Sequence, residues 1–127
     1  MGAEVLEKLV QKDPRYSANA YVFVLMGLRR VLDQLPEPHH ITGQELSLGC
    51  RELALELYGA MARTVLAHWG ILTTRDIGEV VFNMLDAGIL SKTDSDSRED
   101  FEAVFDFVDA FERNYPWGSG LVRQPLT

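Results

Sequence analysis

The stretch from Ala20 to Leu28 constrains this chain more than any other: nine residues almost without a polar break, with Tyr21, Val22, Phe23, Val24, Leu25 and Met26 in succession. That is about half of the ~20 apolar residues a membrane-crossing helix needs, and no signal-peptide pattern of charge precedes it. A helix that is apolar nearly all round has to be central. The reading is therefore a long helix, capped by Ser17 or Asn19 and running to about Leu35, with the other elements packed around it. Its second half turns amphipathic, with Leu28, Val31, Leu32 and Leu35 inward and Arg29, Arg30 and Asp33 outward. A chain of 127 residues that is 46% hydrophobic and 24% charged has enough apolar surface for one core without staples. Residues 1–113 read as a single globular domain, and 114–127, with Pro116, Gly118, Gly120 and Pro125, as a loose tail. The lone cysteine, Cys50, excludes an internal disulfide and fits a cytoplasmic protein.

Helices flank the central one. Ala3 to Lys12 places Val5, Leu6 and Leu9 on one face and stops before Asp13-Pro14, where a helix breaks. Thr42-Gly43-Gln44-Glu45 is a capping box. The helix behind it carries Leu46, Cys50, Leu53 and Leu57 on one stripe, and Gly59 ends or bends it. A short helix from about Ala60 turns Met61, Val65, Leu66 and Trp69 inward and closes at Gly70. Thr73 to Asp76 starts another, with Ile77, Val80, Val81, Met84 and Leu85 inward and Gly88 at its end.

Beyond Gly88 the pattern changes. Ile89 to Lys92 reads as a short strand, Thr93 to Asp100 as an exposed loop, and Phe101 to Phe107 as a second strand by alternation, although Phe101, Val104, Phe105, Val108 and Phe111 also fit helical spacing. The expected fold is mainly α with a small β-hairpin: a helical bundle whose C-terminal half is winged-helix-like.

Between Thr93 and Glu112 stand eight acids against the single base Arg98, so this segment carries the whole net charge of −7. Without a basic stripe, nucleic-acid binding is disfavoured. On a would-be recognition helix the outward residues, Arg75, Asp76, Glu79, Asn83 and Asp86, would repel phosphates.

The segments Arg51 to Glu56, Met61 to Ile71 and Asp76 to Lys92 resemble those of a small family of bacterial cytosolic proteins of unassigned function, the likeness covering roughly residues 13–111. The resemblance implies a cytosolic setting and carries over no catalytic residue. A second resemblance, to winged-helix domains, rests on the order helix, glycine turn, Thr-capped helix, then Gly-Ile-Leu-Ser-Lys.

Motifs for catalysis, cofactor or metal binding are not found in the sequence. Asp94-Ser95-Asp96-Ser97-Arg98 begins like a calcium loop and then lacks its glycine and its closing glutamate. Cys50 sits on an apolar stripe, where a thiol is structural. His39 and His40 read as exposed loop residues. The leading expectation is a small non-enzymatic module that docks a basic protein partner through Asp94, Asp96, Glu99, Asp100, Phe101 and Phe105, the acids steering and the rings anchoring. The other is a ligand-binding protein or enzyme with a pocket near Glu52, Glu56 and His68.

Overall fold

The computed structural model describes residues 2–37, 39–90 and 97–113. Its helices are α1 (Ala3–Lys12), α2 (Ala18–Gln34), α3 (Gly43–Tyr58), α4 (Ala62–His68) and α5 (Thr74–Asp86). Short 3-10 turns at Gly59–Met61 and Arg98–Phe101 and a π-turn at Asp109–Arg113 complete the described chain. The glycines expected to end helices, Gly59, Gly70 and Gly88, all take positive φ (53°, 97° and 77°).

The α2 run does form a helix, but one that is buried along a wide face rather than all round. Ala20, Tyr21, Phe23 and Val24 are sealed, whereas Val22 and Met26 remain 41% and 44% exposed. Leu32, Leu57 and Met61, expected to face inward, are also exposed. The most extensive helix contact among the described residues is α2 on α3, where a Cβ at Gly27 would overlap Cys50 and one at Gly49 would overlap Val31. Two glycines thus let the helix backbones approach closely, and burial there pushes the Cys50 thiol up to about 12.

The box expected at Thr42 forms, and the helix start expected at Thr73 to Asp76 is a second one. Thr42 Oγ1 accepts from Glu45 N at 3.1 Å while Glu45 Oε1 accepts from Thr42 N at 3.0 Å, and Thr73 and Asp76 repeat the arrangement. A third box, Ser97 with Asp100, starts the 3-10 turn inside the expected loop.

The expected β-hairpin is not formed: among the described residues there is no strand, and the winged-helix-like C-terminal half is accordingly not present. Three observations explain why. Of the expected strand Ile89 to Lys92, Ile89 and Leu90 lie in a bend, and Ser91 and Lys92 are outside the described residues. Ala103 adopts φ 45°, which interrupts any extended run through Phe101–Phe107. The backbone groups a partner strand would satisfy go to one side chain instead: the Thr74 hydroxyl donates to Phe101 O at 2.7 Å and accepts from Val104 N at 3.2 Å. The rings that actually turn inward are Phe101, Phe107 and Phe111.

Candidate docking groove

The link between α4 and α5 is only a few residues long, and its geometry sets the site. Gly70 closes α4 in a conformation that L side chains rarely adopt, against the carbonyl of Arg15. Ile71 then goes fully inward while Leu72 is turned out and left 60% exposed, the most exposed large hydrophobic side chain among the described residues. Leu72 is held there by its backbone. Its N–H and that of Thr73 donate to Asp76 Oδ2 at 2.9 and 3.1 Å, and the buried Tyr16 hydroxyl donates to the other oxygen of the same carboxylate at 2.5 Å. Burial, with Asp76 as partner, holds the Tyr16 phenol well above its ordinary range.

Across from Leu72 runs the Glu102–Ala110 segment, anchored by Thr74. Phe105 stacks on Phe107 with centroids 5.3 Å apart, and Phe111 stands edge-on to both. Three shallow cavities of about 430, 450 and 570 Å³ lie side by side along this segment. The first two share Arg63, Leu72 and Phe107; the second and third share Phe105 and Asp106. They adjoin one another along a groove face that runs from α4 past Leu72 to Arg51 and Leu55 on α3, lined by apolar and charged side chains.

The charges at those edges are matched. Arg63 pairs with Glu112 at 2.9 Å, Arg75 with Glu102 at 3.6 Å, and the Arg51 guanidinium lies 5.7 Å over the Phe105 ring. Asp106 accepts from Asp109 N at 3.0 Å. The acidic segment is therefore tied to arginines of α3, α4 and α5 and is less a free anionic strip than its sequence suggests.

The residues expected to form the docking surface separate. Asp94 and Asp96 lie outside the described residues. Asp100 closes the Ser97 box, and Phe101 is only 5% exposed. Glu99 is exposed, and Phe105, half-buried, lines the groove. Of the alternative set, Glu52 lines the third cavity. Glu52 and Glu56 both face Arg30 of α2, at 3.7 and 2.5 Å, and His68 is exposed at the end of α4.

The presumed outward face of α5 is in part covered. Glu79 bridges Arg15 and Arg98, and Asn83 donates to Asp13 and Tyr21 at 2.8 and 3.1 Å. The Arg15 hydrogen bonds, with Asn83 adding, hold the Asp13 carboxyl well below the usual range.

Leu72 was missed, although a signal existed. It occupies the position just before the N-cap Thr73, from which an apolar residue often packs on the fourth helical residue, here Ile77. Ile77 is sealed in the core and Leu72 remains exposed, so that local use is not made. Comparison with family models, curated proteins and solved structures finds no match.

Proposed function

We propose that the protein is a non-enzymatic interaction module that docks a short segment of a protein partner in the groove around Leu72, Phe105 and Phe107. The observation that carries this reading is Leu72 itself: a large apolar side chain 60% exposed on a backbone fixed by Asp76, between two adjoining cavities. An ordered exposed hydrophobe beside a groove costs little entropy to engage, which is how anchoring residues of interfaces work. The partner segment brings one or two apolar anchors and is basic, because the chain's net charge of −7 steers cations toward it.

Of the groups that could otherwise suggest chemistry, the Cys50 thiol is buried, Glu52 and Glu56 face Arg30, and His68 lies apart at the exposed end of α4. A cytoplasmic setting is part of this reading. Among the described residues, no helix is long and apolar enough to cross a membrane.

Selection from a displayed library of random peptides tests the proposal. Enriched peptides are expected to be rich in Lys or Arg around a bulky apolar residue. They should shift the amide resonances of Leu72, Ala103 and Phe105, and lose binding to Leu72→Asp, whose exposed site tolerates the change. Peptides that map elsewhere, or that bind Leu72→Asp equally well, contradict the proposal.

A further inference from the structure

A second cavity, of about 290 Å³, lies where α2, α3 and α5 meet the Arg98–Phe101 turn, and its walls share no residue with the docking groove. Leu28, Leu46, Val81 and Leu85 line it together with the rings of Phe82 and Phe101. Those rings stand nearly perpendicular, 83° apart with centroids 6.4 Å apart. Phe101 is held firmly: a Cβ at Gly43 would come within 3.0 Å of its ring and one at Gly78 within 2.7 Å, and its carbonyl is bonded to Thr74. An aromatic wall fixed this way presents a set geometry to a guest.

Of the polar side chains at this cavity, Thr42, Asp100 and His39 bond to the protein's own backbone. The Thr42 hydroxyl accepts from Glu45 N, Asp100 Oδ2 accepts from Ser97 N at 3.3 Å, and His39 Nδ1 lies 2.8 Å from the His40 carbonyl, to which it can only donate. A guest therefore finds an apolar wall of Leu28, Leu46, Val81, Leu85, Phe82 and Phe101 beside a polar rim of His39, His40, Thr42 and Asp100. Size narrows the class further. An apolar cavity of about 150 Å³ takes a benzene ring, and this one is about twice as large.

From these features we infer that the cavity binds a neutral two-ring aromatic molecule. Edge-to-face contact with the Phe82–Phe101 pair favours an aromatic guest over an aliphatic one of equal size by about two- to tenfold in affinity.

The test is a titration of the methyl-labelled full chain with indole, and separately with 1-octanol, which has the same number of non-hydrogen atoms. Saturable binding of indole is expected, with nuclear Overhauser effects from its ring protons to methyl groups of Leu28, Leu46 and Val81, and about two- to tenfold weaker binding of 1-octanol. Val81→Phe, which fills the space, should abolish these effects; should that variant not fold, the wild-type contacts decide alone. Leu72→Asp should leave indole binding unchanged. Absence of contacts to those methyls up to the solubility limit of indole, indole contacts confined to the Leu72 groove, or 1-octanol binding as tightly as indole overturns the inference.

Discussion

α2 and α3 meet along Gly27 and Gly49, and α3 and α5 each begin on a capping box and end beside a glycine, Gly59 and Gly88. The Arg98–Arg113 segment is held to the same helices differently. Its third-box serine is local, but its main anchors are remote in sequence: the Thr74 hydroxyl, the space left by Gly43 and Gly78, and the arginines that meet its acids. One region is stabilised by its own periodicity and caps, the other by what the first region leaves open. The groove lies at the seam between them, so the second region's attachment decides whether a docking surface exists.

The largest effect should come from removing the segment's main anchor. Phe101→Ala is expected to cost about 3–5 kcal/mol, as for a buried aromatic truncated in a core. The loss should appear first as rapid amide exchange at Val104–Phe111, with most of the helical circular dichroism retained. Simultaneous loss of both signals in a denaturant titration would show the two regions to be one cooperative unit.

This contrast also explains what could be read from the sequence. The bounds of α1, the boxes at Thr42 and Thr73 and the glycine stops at Gly70 and Gly88 depend on neighbours a few residues away, and each is found where expected. Between Phe101 and Phe111, alternation and helical spacing coexist, and the arbiter is Thr74, 27 residues before Phe101. No local pattern contains that hydroxyl's choice of partners. The acidic run misled for a similar reason: Arg63 and Arg75, which meet its acids, stand on other helices. Leu72 carries no docking signal of its own, because an apolar residue before a helix cap more often packs on that helix.

A smaller effect compares one hydroxyl from each region. Thr74→Val leaves Phe101 O and Val104 N without their partner and should cost about 1–3 kcal/mol, whereas Thr42→Ala, which removes a helix cap, should cost about 1 kcal/mol. Both are measured by urea denaturation. Equal losses, with no selective increase in exchange at Val104 in Thr74→Val, would mean that Thr74 only caps its helix region and does not latch the segment.

The smallest change runs the other way. Ala103 holds φ 45° in the turn that replaces the expected strand, and Ala103→Gly should raise stability by about 0.5–1 kcal/mol through relief of that strain. A lower denaturation midpoint in this variant would place Ala103 in an ordinary conformation and reopen the strand.

The most direct measurement of the docking role is site-specific photo-cross-linking in cells, with p-benzoylphenylalanine placed at Leu72 and, as the comparison surface, at Val22 on the exposed side of α2. Both positions are exposed, 60% and 41%, but only Leu72 lines the groove. One dominant adduct at position 72 is expected, joined to a basic segment of the captured protein and displaced by a library-selected peptide, with no matching adduct at position 22. The same adducts at both positions, or none at 72, would contradict a docking role for the groove.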